Sequence, residues 1–135
     1  MNFQDFLNSG QARKASPDIA LVKSLIITAE VDMQFLSGLE ITDYSARKIM
    51  SNYYDVLRSI VEAMSSKEGY KVYSHEAFTY FLKEKGEEAL AEKFDRFRRI
   101  RNGINYYGKD ISVEEAKENS AEIERMIRLL KKKYL

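Results

Sequence analysis

Cysteine is absent from this chain of 135 residues, which also holds a single proline, Pro17, and only six glycines. Without cysteine the protein can form neither a disulfide framework nor a thiolate metal site, and such a composition fits a reducing compartment. Proline and glycine interrupt regular backbone structure, so their scarcity favours long helices over a β architecture with many turns.

Long apolar runs and an excess of charge of one sign are lacking as well. No apolar stretch approaches the ~20 residues needed to cross a bilayer, and the first residues do not show the basic flank and apolar run of a signal peptide. The 22 basic and 21 acidic side chains nearly cancel, which argues against a globally basic nucleic-acid-binding protein but leaves room for a local basic patch. We therefore expect a cytoplasmic protein without a membrane segment.

Apolar side chains recur at helical spacing along most of the chain. The first three predicted helices are a short one at Phe3–Ser9, one from Ser16-Pro17-Asp18 to Gly38 with Ser16 as its N-cap, and one from Thr42-Asp43 to about Ser65. The other three are a short helix from Ser74 to Gly86, one from Glu87 to about Tyr106, and a last one that opens with the capping box of Ser112 and Glu115. The segments at 10–15 and 69–73 are interpreted as connectors. Because short connections join long helices, neighbouring helices should be antiparallel. We predict one all-α domain over residues 1–135, an up-and-down antiparallel helical bundle of four to five main helices plus a short N-terminal helix.

The predicted helix from Glu87 to about Tyr106 carries an arginine on its apolar face. That face is formed by Leu90, Phe94, Phe97 and Ile104. At 100° per residue Arg101 lies within it, with Asn105 close beside it. A guanidinium keeps its charge and is costly to bury alone, so a carboxylate, a phosphate or a water-lined cleft must compensate it. An internal ion pair is one alternative, and its candidate partners are Glu30, Asp32 and Asp55.

Further basic and aromatic residues surround Arg101 in the sequence. The basic cluster consists of Lys93, Arg96, Arg98, Arg99, Arg101 and Lys109, and the acidic residues that could balance it are Glu87, Glu88, Glu92 and Asp95. Arg96 and Arg99 point away from the predicted core and fit a solvated helix face, whereas Arg98 lies at the flank of the apolar stripe.

Two adjacent tyrosine pairs are each expected to place one ring inward and the other more outward. Tyr53-Tyr54 lies on the clearest apolar stripe, so Tyr53 fits core packing with its hydroxyl at the rim. Tyr106-Tyr107 lies at a helix end beside arginines, where rings can stack on bases as well as pack against the protein.

The single histidine, His75, limits the catalytic options. A Ser-His-Asp or Cys-His arrangement would have to use this residue. His75 follows the Ser74 cap, where we expect a solvated or hydrogen-bonded surface group. Nothing nearby supplies the further ligands of a zinc site, so neither a metal nor a cofactor is expected.

The segment Arg101-Asn102-Gly103-Ile104-Asn105-Tyr106-Tyr107-Gly108, at the close of the penultimate helix of an all-α chain, resembles the motif of the HEPN superfamily (higher eukaryotes and prokaryotes nucleotide-binding). The resemblance extends from about Asp18 to Leu135 and includes the connector that leads through Ser74-His75-Glu76-Ala77 into the short helix. It implies a metal-independent ribonuclease or toxin, or a non-catalytic partner of a small nucleotidyltransferase. It also implies a dimer whose two motifs meet in a cleft.

The family motif is an arginine, commonly followed by asparagine, and then a histidine after four to six intervening residues. Arg101 and Asn102 match the first two positions, whereas Tyr106 stands at the histidine position. In the family's ribonuclease chemistry the histidine is the natural base for the 2′-hydroxyl, and tyrosine, with an ordinary pKa of about 10, is a poor base at neutral pH. His75 is the only substitute, so the catalytic candidates are Arg101, Tyr106 and His75.

We therefore predict a homodimer that binds RNA or a nucleotide without robust catalysis, as part of a toxin–antitoxin or nucleotidyltransferase pair. The predicted binding residues are Arg98, Arg101, Asn102, Asn105 and Tyr106. One alternative is an active metal-independent ribonuclease. The other is a bundle used only for protein–protein association, with Arg101 in an internal ion pair.

Overall fold

The computed structural model describes all 135 residues and contains six helices and two very short strands. In chain order these are α1 (Phe3–Asn8), β1 (Ala12–Lys14), α2 (Ile19–Ser37), α3 (Ala46–Lys67), β2 (Tyr70–Val72), α4 (His75–Glu84), α5 (Glu88–Tyr107) and α6 (Val113–Tyr134). The protein is therefore an all-α helical bundle, which confirms the predicted fold class. None of its helices combines the length and the apolar character that crossing a membrane requires.

Helix α3 is the centre of the bundle. Helices α2, α4, α5 and α6 and strand β2 all pack against it. All eight residues of its predicted apolar stripe are buried: Ala46, Ile49, Met50, Tyr53, Leu57, Ile60, Val61 and Met64. Tyr54, Val56 and Ala63 are buried too, so α3 is covered on more than one face. One core cluster of 29 buried residues includes side chains from every helix.

The helix starts differ in part from the prediction. Asp18, and not Ser16, is the N-cap of α2, because its carboxylate accepts a hydrogen bond from the free amide N–H of Leu21 at 2.9 Å. Thr42 and Asp43 belong to a turn before α3, which begins only at Ala46. The predicted start of α6 is confirmed, since the Ser112 hydroxyl accepts from the Glu115 amide at 3.1 Å.

The two segments that we interpreted as connectors contain the strands β1 and β2. These strands pair antiparallel, with Ala12 opposite Val72 and Lys14 opposite Tyr70. The interpretation as plain connectors was therefore wrong. The strands could not be predicted, because three residues are too few to show an alternating pattern and each strand gains its partner only when the chain folds. The pairing ties the segment after α1 to the connection between α3 and α4.

Gly69, at the junction of α3 and β2, has a left-handed backbone with φ 87°, and a Cβ built there would lie 2.8 Å from the carbonyl oxygen of Ala15. The Gly69 carbonyl also accepts a hydrogen bond from the Ala15 amide at 2.8 Å. Gly86 is the matched control, because its φ is 80° but no atom beyond its own chain neighbours lies within 4 Å of its Cβ position.

We expect Gly86→Ala to lower the free energy of unfolding by about 1–2 kcal/mol, the cost of a left-handed alanine. Gly69→Ala should lower it by a clearly larger amount, since the Ala15 carbonyl must also move away. Urea unfolding followed by circular dichroism measures both values. Equal losses in the two variants would contradict this account of the β1–β2 junction.

Candidate functional site

Arg101 lies in the crevice between α3 and α5, with only 16% of its side chain exposed. Its Nη2 is 3.5 Å from Asp55 Oδ1, and its Nη1 donates to the Tyr106 hydroxyl at 3.3 Å. The third nitrogen, Nε, is buried and has no hydrogen-bond partner. The guanidinium thus has five N–H groups but few acceptors.

Two aromatic rings flank the Arg101 guanidinium. Its central carbon is 5.8 Å from the centroid of the Tyr54 ring and 5.6 Å from that of Tyr106. Both distances fall within cation–π range, where a ring face attracts a cation by about 0.5–2 kcal/mol. The rings therefore supply part of the stabilisation that hydrogen-bond acceptors do not.

Of the three candidate partners for Arg101, Asp55 is the one that forms an ion pair with it. Glu30 instead pairs with Lys131, and Asp32 lines the same groove as Asp55 but takes part in no ion pair. The contact with Asp55 is long, since charge-assisted hydrogen bonds between nitrogen and oxygen are about 2.7–2.9 Å. Burial raises the pKa of Asp55 even though Arg101 and Arg58 act in the opposite direction. Asp55 therefore compensates Arg101 only in part.

His75 and Arg101 approach the same buried ring. The Tyr54 hydroxyl and His75 Nδ1 share a hydrogen bond of 3.1 Å, while Arg101 lies near the Tyr54 ring. His75 is half-buried at the start of α4, so the expectation of a surface group was wrong, although the expected hydrogen bond is present. Burial raises the pKa of Tyr54, which keeps its hydroxyl protonated.

The electrostatics around His75 favour its neutral form. Burial lowers the pKa of His75 to about 4, and the guanidinium groups of Arg58, Arg101 and Arg98 act in the same direction. At neutral pH the imidazole is therefore uncharged and a weak base.

Arg58 is a residue of this site that sequence reasoning missed. It lies three residues after Asp55 on α3, and only the helical spacing between these two residues could have indicated it.

The other cations of the α5 cluster are neutralised by carboxylates. Arg98 donates through Nε and Nη2 to Asp95 Oδ1 at 3.0 and 2.8 Å, and Arg99 pairs with the same carboxylate. Arg96 and Lys93 both pair with Glu122 of α6, each at 3.0 Å. Of the acidic residues proposed as partners, only Asp95 takes this role. Arg98 is thus engaged already, which makes it the least available of the predicted binding residues.

The two predicted binding asparagines lie beside Arg101 on the last turns of α5. Asn105 is exposed, and its side-chain oxygen accepts a hydrogen bond of 2.9 Å from the Ser51 hydroxyl of α3. Asn102 is half-buried. The Ser51 bond fixes the orientation of the Asn105 amide and leaves its NH2 group free to donate.

Both tyrosine pairs differ from the expectation of one inward and one outward ring. Tyr53 and Tyr54 are both buried, because α3 is surrounded by its neighbours, and the Tyr53 hydroxyl donates to Glu124 at 2.6 Å. Tyr106 and Tyr107 are 67% and 78% exposed. Both lie on the last turn of α5, which ends at Gly108 in a left-handed conformation with φ 64°.

No protein-family model, curated protein or solved structure matches this chain. The resemblance to the HEPN superfamily therefore stays a prediction. What the structure adds is a defined arrangement, a largely buried and incompletely paired guanidinium close to two tyrosine rings, one of which is hydrogen-bonded to a neutral histidine.

The single histidine gives a direct test of this arrangement. In the unfolded chain His75 has its ordinary pKa of 6.5, whereas in the folded protein its pKa is about 4. Between these pH values the unfolded state binds more protons, so the free energy of unfolding should fall as the pH falls from 6.5 to 4. The imidazole signal in a proton NMR titration should show a midpoint near 4. Arg58→Gln, which removes a repelling charge, should raise that midpoint, and a wild-type midpoint near 6.5 would refute the buried arrangement.

Proposed function

We propose that this protein is a HEPN-like helical bundle that binds RNA or a nucleotide, without robust catalysis, through a site formed by Arg101, Asn102, Asn105 and Tyr106. It acts as a homodimer and as one half of a two-component system, paired with a small nucleotidyltransferase or working as part of a toxin–antitoxin pair. Arg98 is left out of the site because Asp95 already holds it.

The observation that carries this proposal is the incomplete compensation of Arg101. The guanidinium is largely buried, its nearest carboxylate oxygen is 3.5 Å away, and its Nε has no partner. A buried charge without full pairing is destabilising, and a phosphate, like a carboxylate, matches the planar guanidinium fork with two parallel hydrogen bonds. A phosphate group at this position would remove the deficit.

The neighbouring side chains favour a nucleotide over a simple anion. The exposed ring of Tyr106 stands next to the guanidinium, so a base could stack on the ring while its phosphate meets Arg101. The free NH2 group of Asn105, one helical turn further along, can donate to a sugar or phosphate oxygen.

The outer face of α2 supports the two-chain part of the proposal. Ile27, Val31 and Phe35 recur every four residues on this face and are 61%, 61% and 65% exposed. Phe35 also lines a groove of about 370 Å³ together with Asp55 and Arg58. A second copy covering this stripe would therefore approach the Arg101 site, and sedimentation equilibrium of the purified chain tests whether it does.

The Arg101→Ala variant should bind labelled RNA or ATP about 10- to 100-fold more weakly than wild type. The reason is that charge-assisted hydrogen bonds contribute about 1.5–3 kcal/mol each. Arg99→Ala is the matched control, because it removes the same charge from an exposed position of the same helix, and its affinity should stay near wild type. Fluorescence anisotropy measures both, and circular dichroism checks that both fold.

The association-only alternative predicts a different pattern. If Asp55 were the permanent partner of Arg101, Asp55→Asn would destabilise the fold and leave binding absent. If Asp55 only holds the place of a phosphate, Asp55→Asn should strengthen binding. No binding by wild type, or equal binding by wild type and Arg101→Ala, would refute the proposed function.

Ribonuclease activity is a second candidate, favoured by the fact that His75 and Arg101 approach the same Tyr54 ring. The chemistry is unfavourable for it, because a base with a pKa of about 4 is poorly matched to neutral pH. We expect no cleavage of labelled RNA in the presence of EDTA at pH 7. Metal-independent cleavage that His75→Gln abolishes would establish the enzyme and refute a purely binding role.

A further inference from the structure

The arginine-rich stretch of α5 is neutralised by ion pairs and offers no unpaired cation. Lys93, Arg96, Arg98 and Arg99 are all held by Asp95 or Glu122. The unpaired cations near the candidate site lie instead at the end of the bundle where α3 begins and α5 ends. They are Arg47, Lys48 and Lys109, and none of them takes part in any of the ion pairs of the structure.

A groove of about 320 Å³ lies at this end, and Arg47, Lys48, Ile104 and Asn105 line it. No carboxylate contributes to its lining. Asn105 connects the groove to the Arg101 site, since these residues are one helical turn apart on α5. The stem of Lys109 packs against Gly103 on the same turn, so that a Cβ at Gly103 would be 3.1 Å from Lys109 Cδ.

Exposed aromatic side chains lie within a few residues of these cations in the chain. Tyr44, in the turn before α3, is 98% exposed, and Tyr106 and Tyr107 at the end of α5 are 67% and 78% exposed. A ring so open to water contributes little to core packing, whereas an exposed ring beside unpaired cations suits the stacking of unpaired bases. Asp43 and Asp110 are the acidic neighbours in the chain, and neither forms an ion pair with the three cations.

The groove lies close to the Arg101 site, along the line where α3 and α5 meet. Ser51 of α3 meets Asn105 of α5, and Asp55, one turn later on α3, meets Arg101. From Arg47 to Asp55, eight residues along α3, the helix rises by about 12 Å at 1.5 Å per residue. A strand of two or more nucleotides can extend from the groove to Arg101 over this distance.

We propose that Tyr44, Arg47 and Lys48 form a second subsite, which binds the phosphates and bases of a single-stranded nucleic acid whose chain continues along the crevice to Arg101. This second subsite rests on the proposed function, which places a phosphate at Arg101. It adds the class of ligand, because it requires a single strand and not a mononucleotide or a duplex. A duplex keeps its bases stacked internally and cannot place them on the tyrosine rings.

The test compares three ligands by fluorescence anisotropy: a labelled single-stranded oligoadenylate, its duplex with oligouridylate, and ATP. The oligoadenylate has about 12 nucleotides, a length within the range that single-strand-binding proteins cover. Arg47→Ala/Lys48→Ala should weaken binding of the single strand at least about 10-fold and reduce the slope of log affinity against log salt by about 1.4. Its affinity for ATP should not change. Arg125→Ala/Arg128→Ala is the matched control, because it removes two exposed and unpaired cations from α6, and it should have little effect.

The aromatic part of the subsite has its own pair of variants. Tyr44→Ala should weaken binding of the single strand roughly 5- to 100-fold, which corresponds to the loss of one stacked base, while Tyr44→Phe should keep it. All of these side chains are exposed, so the variants should fold as wild type does.

Equal losses in the two double variants, tighter binding of the duplex than of the single strand, or a parallel loss of ATP binding would each overturn the subsite. If Arg101→Ala weakens both ligands while Arg47→Ala/Lys48→Ala behaves as the control does, the subsite fails and the proposed function stands. If only the groove variants lose binding, the subsite stands and Arg101 loses its assigned role.

Discussion

The burial of α3 on nearly all sides is the constraint on which the rest of this structure depends. Because the helix has so little surface left for water, its buried polar side chains need hydrogen-bond partners within the protein. Tyr53 finds Glu124 on α6, Tyr54 finds His75 on α4, and Ser51 finds Asn105 on α5. These three bonds fix which side chains meet, and the candidate site forms where α4 and α5 both approach the middle of α3.

The same constraint explains why Arg101 lies on a core-facing stripe. The guanidinium occupies a crevice whose walls are the Tyr54 ring and the partly buried Asp55 carboxylate, both on α3. Neither gives it the short hydrogen bonds that a permanently charged group needs, so the site keeps a capacity for one more anion. A neutral His75 beside it avoids adding a second positive charge.

The positions of the carboxylates, more than those of the arginines, decide where an anion can bind. Asp95 and Glu122 neutralise the middle of α5 and thereby remove its most basic stretch from consideration. Near the candidate site, the Arg101 crevice and the groove of Arg47 and Lys48 remain open. A nearly neutral protein can in this way present a local surface for a polyanion.

Local patterns in the sequence carried the prediction a long way. The apolar side chains that recur at helical spacing along α3, α4 and α6 are buried, because helical periodicity places side chains on one face whatever the partner is. Arg101 stood out for the same reason, and Asp55 was among its three predicted partners. The start of α2 was placed too early, since either Ser16 or Asp18 can cap a helix and only the backbone geometry selects one.

By itself, then, the sequence determined the helices, their apolar faces and the presence of a misplaced charge, all of which depend on interactions between residues a few positions apart. Only the tertiary structure decided that Tyr54 is buried with His75, that Glu122 rather than a residue of α5 holds Arg96, and that Arg47 and Lys48 are free. Those outcomes depend on which helices become neighbours and at what register. Contacts such as the one between Ser51 and Asn105 join residues that are 54 positions apart, and no local pattern encodes them.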